Sequence, residues 1–313
     1  MGYLEITTTA PCSINCSEYC PQSRLKQVYS GPALLSEDDF TKALDHIDPE
    51  VGICFSGYGE PFLNPHCVDM ILQADRRGHS ILVFSTLSNI RVRDWKRIEN
   101  IPFASFCVHL PDKKGITRVR VTAEYLEVLK SIVTKPYSSF MAMAEPLDDV
   151  VPIVAPVFHY GESYHFVNNE RAGNLESRKR REYHGRINCG KLSRPQYVML
   201  PDGTTTLCCQ DWGLKHKLGN IFEEDFLDLY ESQEMQRVLK SANSFNDSYA
   251  LCRHCAAANT TFLHIKRQAK SAFISTLKEI GIHPLAKRAY RTFCLRDTKA
   301  ENSEVLSLGK IIR

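Results

Sequence analysis

The sequence lacks the features that would place a protein in a membrane or outside the cell. No apolar run approaches the roughly 20 residues that a helix needs to cross a bilayer. No basic segment with an apolar stretch behind it stands at the N-terminus, so we expect no secretory signal and a cytoplasmic location. The net charge of +3 is too small to indicate nucleic-acid binding by itself. The length of 313 residues predicts one large domain or two smaller ones.

Cysteine, by contrast, is abundant, with 12 residues. Without an export signal, a metal or catalytic use is expected rather than a disulfide framework. Cys12, Cys16 and Cys20 are evenly spaced after a short β-like run, with no fourth cysteine nearby. Three such thiolates suit an iron–sulfur cube that keeps one iron open for a small molecule. Their spacing alone also allows a zinc site with a distant fourth ligand, or part of a disulfide set.

The first two-thirds of the chain alternates strand-like and helix-like stretches. The predicted strands are 3–9, 51–56, 80–85, 104–110, 139–144 and 164–167, and the predicted helices are 36–47, 65–77, 92–98 and 122–133. Such alternation predicts an α/β fold with a parallel sheet and right-handed crossovers. About six repeats favour a partial (β/α)6 barrel of the TIM type over a closed eightfold one.

In such sheets the site lies at the carboxyl ends of the strands. The segment 57–61, Gly-Tyr-Gly-Glu-Pro, follows the second strand, and its Glu60 can accept hydrogen bonds from an ammonium group. The third strand ends in the polar run 85–89. His109 and Asp112 follow the fourth strand, and Glu145 follows the fifth. Each of these residues also has an ordinary interpretation as a turn or surface residue, and together they are candidates for ligand contacts.

The cysteine triplet and the glycine segment together resemble the radical S-adenosylmethionine (SAM) superfamily. The usual spacing of that family is C-x3-C-x2-C, and the C-x3-C-x3-C found here is a known minority variant. The segment 57–61 resembles the family's Gly-Gly-Glu-Pro segment, with Tyr58 in place of one glycine. The Arg-Ala-Gly-Asn run that begins at Arg171 resembles members with an additional cluster domain.

This resemblance implies that the cysteine triplet holds a [4Fe-4S] cluster to which S-adenosylmethionine binds. It also implies that a set of residues contacts SAM or substrate, namely Gly57, Tyr58, Gly59, Glu60, Ser85, Thr86, Asn89 and Arg171.

A second group of cysteines follows the basic run 178–181, where we place a domain boundary. Cys189, Cys208, Cys252 and Cys255 belong to a segment that resembles the SPASM domain of radical SAM proteins over roughly seventy residues. The cysteines that hold a further cluster in the longer form of that domain are missing. The resemblance therefore implies one auxiliary [4Fe-4S] cluster, although these four residues in isolation also fit a zinc ribbon.

The predicted domains are thus 1–180, a radical SAM partial barrel, 181–258, a SPASM-like auxiliary cluster domain, and 259–313, a basic amphipathic helical tail. A further amphipathic helix is predicted over 223–242 within the second domain. The basic face of the tail is most simply a solvated helix face, and contact with a partner or an anionic surface is the alternative.

The resemblance implies reductive cleavage of SAM to a 5′-deoxyadenosyl radical, which takes a hydrogen atom from substrate. A low-potential donor such as flavodoxin or ferredoxin would supply the electron. We expect a carbohydrate or other small alcohol to be oxidised, epimerised or dehydrated, with maturation of a ribosomal peptide as the alternative. A non-catalytic zinc protein that binds nucleic acid through its basic tail is a third hypothesis. The catalytic residue is unknown, and the candidates are Cys209, Glu145 and His109.

Overall fold

One mixed sheet of eight strands forms the centre of the molecule in a computed structural model, which describes residues 2–160, 170–175, 182–256 and 258–260. The strand order is β5-β4-β3-β2-β1-β7-β8-β9. The first five strands, β1 to β5, are parallel to their neighbours. Their bounds are Tyr3–Ile6, Gly52–Phe55, Ile81–Ser85, Ser105–Leu110 and Ser138–Ala142.

Helices connect these strands as the alternating pattern predicts. Their bounds are Gln22–Val28 for α1, Glu37–Asp45 for α2, Cys67–Arg76 for α3, Val92–Ile98 for α4, Ala123–Val133 for α5 and Val151–Val154 for α6. The start of α2 follows local chemistry, because the backbone N–H of Asp39 donates to the Ser36 hydroxyl at 3.0 Å and caps the helix. The Thr122 hydroxyl caps α5 in the same way, accepting from the Tyr125 N–H at 3.1 Å.

The C-terminal region continues the same sheet. Its strand β7 (Gln196–Met199) pairs in parallel with β1, so that Tyr3 lies opposite Gln196. Strands β8 (Thr204–Thr206) and β9 (Lys217–Asn220) follow as antiparallel neighbours. The turn at 201–203 joins β7 to β8, and Gly203 has the positive φ of 79° that favours glycine. The two predicted domains therefore share one continuous sheet.

This region also contains three smaller elements besides short 3₁₀ helices. They are helix α7 (Gly190–Ser193), helix α8 (Gln233–Asn243) and a two-stranded sheet of β6 (Ile187–Asn188) and β10 (Asn259–Thr260). The predicted helix over 223–242 was too long, because α8 begins only at Gln233 after its capping residue Ser232. A short 3₁₀ helix, Asp228–Tyr230, occupies the preceding stretch.

The main core lies between one face of the sheet and helices α2 to α5. Alternate strand residues such as Leu4, Ile53 and Phe106 are fully buried there. A separate cluster joins the N-terminal loop to the C-terminal region, and it contains Leu25, Tyr58 and Trp212. The opposite face of the sheet carries the other strand residues, because successive side chains point to opposite sides.

Several predictions concern residues that the structure does not describe. The sixth barrel strand over 164–167, the basic run 178–181 and the tail from residue 261 onward lie outside the described residues. The first two residues of the predicted tail form strand β10 and not a helix. Within the described part of the chain, no helix has the length and apolar character needed to cross a bilayer.

Candidate active site

The cysteine triplet lies in the loop between β1 and α1. Cys12 and Cys16 are buried, and Cys20 is half-buried. The loop is tied to neighbouring segments by its backbone, since the Ser17 N–H donates to the Ile116 carbonyl at 3.0 Å. The three thiols are close enough to influence one another electrostatically. The fold thus gathers them at the carboxyl end of the first strand.

Burial governs the protonation of these thiols. It raises the pKa of Cys12 and Cys16, and it raises the pKa of Cys20 to about 12. The charge of Arg171 lowers the pKa of Cys20, but it does not outweigh the burial. An iron–sulfur cluster supplies the positive charge that would hold all three as thiolates. The donor set therefore fits such a group.

Glu60 organises the ends of the second and third strands. Its Oε1 accepts from the Ser85 hydroxyl at 2.5 Å and the Phe62 N–H at 3.3 Å. Its Oε2 accepts from the Thr86 N–H at 2.7 Å and the Thr86 hydroxyl at 2.8 Å. These four bonds use the lone pairs of the carboxylate. An ammonium group would therefore compete with donors of the protein itself, and contact of Glu60 with SAM stays a prediction.

Glycine is required on both sides of Tyr58 by close packing against the chain that follows β1. A Cβ on Gly57 would lie 2.1 Å from the Thr7 hydroxyl oxygen, and one on Gly59 would lie 2.1 Å from the Thr9 carbonyl oxygen. Gly57 also has a φ of 63°, in the left-handed region. The two glycines therefore hold this loop against the segment that leads into the cysteine triplet.

The side chain of Tyr58 points into the C-terminal region. Its ring is fully buried and meets Trp212 edge-on, with ring centroids 4.9 Å apart. Its hydroxyl lies 2.8 Å from the Thr206 hydroxyl, 3.0 Å from the Cys208 carbonyl and 3.1 Å from the Asp211 carbonyl. The predicted contact of Tyr58 with SAM applies at most to its backbone, because its side chain packs between the two regions.

The other predicted SAM contacts lie around the same edge of the sheet. Asn89 has a φ of 69° and donates from Nδ2 to the Phe62 carbonyl at 3.2 Å. Arg171 donates from Nε to the Tyr19 carbonyl at 2.9 Å, which places it against the cysteine loop. Arg171, Ala172 and Gly173 all have positive φ, and the first two are not glycine. Such backbone strain is typical of functional sites.

The sheet face opposite the helices is polar at its centre. Glu5 lies opposite Cys54 in the β1–β2 register, and its Oε2 accepts from the Ser56 hydroxyl at 3.2 Å. Lys191, from α7, donates to Glu5 Oε1 at 3.5 Å and to the Cys209 sulfur at 3.2 Å. The negative neighbours raise the pKa of Lys191 despite its desolvation. Cys209 therefore sits beside a fixed positive charge.

His109 occupies the same face on β4. Its ring meets Phe84 edge-on with centroids 6.4 Å apart, and its Nε2 is shielded without a hydrogen-bond partner among the described residues. Burial first, and the charge of Arg171 second, lower the pKa of His109 to about 4. The imidazole is thus neutral near pH 7, and its Nε2 atom on this face could still form a hydrogen bond with a ligand.

Two further candidates have roles elsewhere. Glu145 is exposed and forms an ion pair with Lys113 at 2.7 Å, which explains it as a surface residue. Asp112 is buried and accepts from the backbone N–H groups of Lys114, Ile116 and Thr117 at 2.8 to 3.1 Å, so it shapes the loop after β4. Neither carboxylate is directed by these contacts toward the cysteines.

The second cysteine set surrounds one cavity in the C-terminal region. Its lining includes all four predicted residues, Cys189, Cys208, Cys252 and Cys255. The remaining wall is mainly apolar, with Leu192, Leu207, Leu251 and Ala258. Burial raises the pKa of Cys208 and Cys252 well above the usual range. The structure therefore brings together four thiols that come from three separate stretches of the sequence.

The number of thiols bears on the metal group that each set could hold. Three thiols leave one iron of a four-iron cluster open, and four thiols complete it. Among the described residues, Glu37, His66 and Asp69 place three ligand atoms within 4.8 Å of one another, and they belong to neither cysteine set. The two donor sets therefore fit iron–sulfur clusters.

Residues that sequence reasoning missed are mostly buried polar groups. Gln22, Lys191 and Glu5 each contact a cysteine or its neighbours, and no motif identifies them. The signal available in the sequence was weak: a glutamate within an otherwise apolar strand, and a glutamine directly after the Cys20-Pro21 pair.

Comparison with known proteins agrees with this geometry. Residues 189–256 match the SPASM family, an iron–sulfur cluster-binding domain. The crystal structure of BtrN in complex with AdoMet and 2-DOIA is similar to the chain with a TM-score of 0.57 and 15% identity, over 83% of this chain and 93% of BtrN. A histidine-tagged anSMEcpe with bound AdoMet gives a TM-score of 0.51 and 13% identity, over 99% of this chain and 97% of anSMEcpe. No curated protein matches the sequence.

The fold is therefore a partial α/β barrel with two sets of thiols whose donor chemistry fits iron–sulfur clusters. The chain has the fold of the radical SAM enzymes, and its residues 189–256 match the SPASM iron–sulfur cluster-binding domain. The predicted resemblance is confirmed for the SPASM segment by the family match and for the fold by the structural similarity.

Proposed function

We propose that the chain is a radical SAM enzyme that acts on a small polar substrate, a carbohydrate or another alcohol. The observation that carries this proposal is the presence of two separate sets of buried or half-buried thiols. One set has three members after β1, and the other has four members around an apolar cavity. Three ligands leave one iron of a cube open, whereas four complete it.

The first cysteine set would hold the SAM-binding cluster through Cys12, Cys16 and Cys20. When bound, this cluster and SAM supply reductive cleavage of the sulfonium and a radical able to remove a hydrogen atom. The protein's part is to position the ligand and to exclude water. Glu60 holds Ser85 and Thr86 in place, and the backbone of Gly57 to Gly59 forms the neighbouring edge.

The substrate would lie on the polar sheet face that carries Glu5, Ser56 and His109. These groups offer both donors and acceptors, and Lys191 adds a positive charge. Hydroxyl and amine groups are the partners that such side chains bind. Phe84 is 37% exposed on the same face and offers an apolar surface for the carbon skeleton. This mixture supports a small polyhydroxylated substrate.

The four-cysteine set would hold the auxiliary cluster. Its cavity wall includes Lys191, which also touches Glu5 and Cys209 on the substrate face. A cluster there could accept an electron from the product radical, and the net reaction would then be an oxidation. Epimerisation or dehydration of the same substrate class would leave the cluster without that role. A flavodoxin or ferredoxin would supply the electron that starts the reaction.

The zinc alternative is disfavoured by the match of residues 189–256 to an iron–sulfur cluster-binding domain. A peptide maturase of the same superfamily differs from the proposal only in substrate, so substrate trials decide between them.

The deciding experiment is anaerobic purification followed by iron, sulfide and zinc analysis and incubation with dithionite and SAM. We expect about eight irons per chain, as two four-iron clusters require, and formation of 5′-deoxyadenosine. Zinc in place of iron, with no 5′-deoxyadenosine, would overturn the proposal. Addition of aminocyclitols, sugars or model peptides should then raise 5′-deoxyadenosine formation only for the correct class.

A further inference from the structure

Gln22 is a fully buried polar side chain that touches the first cysteine set directly. It is the first residue of α1, directly after Pro21, and only 1% of its surface is exposed. Its Oε1 accepts from the Cys12 N–H at 3.0 Å. Its Nε2 donates to the Tyr58 carbonyl at 2.7 Å and lies 3.4 Å from the Cys20 sulfur. One amide therefore contacts two of the three cysteines.

The orientation of this amide is fixed by its main-chain partners. The Cys12 N–H can only donate and the Tyr58 carbonyl can only accept, so the oxygen must face Cys12 and the nitrogen must face Tyr58. The second N–H of the same nitrogen is then the one available to Cys20. The direction of the N–H···S contact thus follows from the chemistry of the neighbouring groups.

The position of Tyr58 gives this contact rigidity. Its backbone accepts from Gln22, while its side chain donates to the Cys208 carbonyl and packs on Trp212. Gly57 and Gly59 allow no added Cβ on either side of it. The donor of Gln22 is therefore held between a fixed acceptor and the Cys20 sulfur.

A hydrogen bond to a cluster sulfur ligand stabilises the more negatively charged, reduced state, because the donor dipole offsets the added electron. We propose that Gln22 is a positioning residue that raises the reduction potential of the first cluster through its N–H bond to Cys20. The inference rests on the proposed function, since it requires a cluster at this triplet. It goes beyond that function by naming what sets the ease of the first electron transfer.

The test is a redox titration of the first cluster in Gln22→Glu and Gln22→Met proteins, followed by EPR. The signal to follow is the one that changes when SAM is added, which separates the first cluster from the auxiliary one. Gln22→Glu keeps the acceptor for Cys12 and replaces the donor with a carboxylate oxygen. Gln22→Met removes both polar atoms at similar length. Gln27→Glu, exposed on the same helix, is the matched control.

We expect the reduced-to-oxidised ratio of the first cluster at a fixed poise to fall by about tenfold in both Gln22 proteins, a shift of about 59 mV for one electron. The signal of the auxiliary cluster and the Gln27→Glu protein should not change. An unchanged first-cluster potential, with iron content intact, would overturn the inference. Loss of about four irons from both variants would also overturn it, since Gln22 would then only shape the loop.

Iron content and SAM cleavage of the wild-type protein distinguish failure of the Gln22 inference from failure of the proposed function. Two clusters and SAM cleavage in the wild type, together with an unshifted variant, would contradict only the role of Gln22. A wild-type protein without iron would contradict the proposed function itself.

Discussion

The two cysteine sets differ in what surrounds them. The triplet lies in a loop where Gln22 and Arg171 make polar contacts, beside an apolar cluster in which Cys16 packs with Ile116 and Met143. The four-cysteine set lies in a cavity lined by leucine side chains, and it gathers residues from 189 to 255. A set of three ligands leaves one iron of a cube open for another ligand, and a set of four suits a closed cluster. On the proposed function, ligand binding therefore belongs to the first region.

The largest effect is expected from removal of the triplet. A protein with Cys12→Ala, Cys16→Ala and Cys20→Ala should lose all SAM cleavage, because the open cluster would lose every protein ligand. It should keep the auxiliary cluster, so iron should fall from about eight to about four per chain. Iron analysis and a 5′-deoxyadenosine assay measure this. Cys67→Ala, a buried cysteine of α3, is the control. Retained cleavage would break the distinction between the two sites.

Removal of two cysteines from the four-cysteine set should remove the auxiliary cluster and spare SAM cleavage. Cys252→Ala with Cys255→Ala should also remove about four irons, while SAM cleavage without substrate continues at the first site. If the auxiliary cluster accepts the electron of the product radical, substrate turnover should fail in this protein. EPR with and without SAM shows which cluster remains. Loss of iron from both sites would show that the shared β1–β7 sheet makes the two regions one folding unit.

Replacement of Glu60 tests how the first region is organised. Gln at this position places an amide where the four donors of Phe62, Ser85 and Thr86 converge. We expect a loss of about 2 kcal/mol in the free energy of unfolding and SAM binding that is weaker by at least about tenfold, which is a further 1.4 kcal/mol or so. Calorimetry and denaturant unfolding measure the two effects, with Glu50→Gln on the surface as control. An unchanged dissociation constant for SAM would show that segment 57–61 is only a structural turn.

Tyr58→Phe tests the contact between the two regions that the Tyr58 hydroxyl makes. The substitution removes the hydroxyl that Thr206, Cys208 and Asp211 contact and keeps the ring. Buried acceptors left without a donor should cost about 1–3 kcal/mol of unfolding free energy. Denaturant unfolding should show this loss, and Tyr29→Phe, whose hydroxyl donates to the carbonyl of the exposed Pro32, should show little. Equal losses in both proteins would contradict the bridging role.

The smallest effect concerns pH and His109. Its folded pKa of about 4 lies below the ordinary value of 6.5, so the neutral ring costs the fold nothing above pH 6.5, and stability is lost as the pH falls from 6.5 toward 4. His109→Gln should therefore flatten the fall in unfolding free energy across that window by about 1–3 kcal/mol. Chemical unfolding at several pH values measures it, with the exposed His184→Gln as control. Parallel curves for wild type and His109→Gln would show that the ring is not desolvated.

Local patterns predicted most of the parallel sheet. The capped helices α2 and α5 and the helix α4 lie where hydrophobic spacing and capping residues place them, because those signals act within a few residues. Helix α1 was not predicted, since it is only seven residues long and begins with Gln22. The predicted helix over 223–242 ran too far, because periodicity continued through a 3₁₀ turn.

The sequence by itself determined the chemistry: the thiols in two groups, the glycines around Tyr58 and the strand–helix alternation that places loops at one end of a sheet. Only the tertiary structure decided how those parts meet. Pairing of β7 with β1 joins the two regions in one sheet, the Tyr58 hydroxyl donates to the Cys208 carbonyl across them, and Gln22 meets the Tyr58 carbonyl. A local pattern reports which faces of an element are apolar, whereas the partner of a buried polar group depends on contacts that form only when the whole chain is folded.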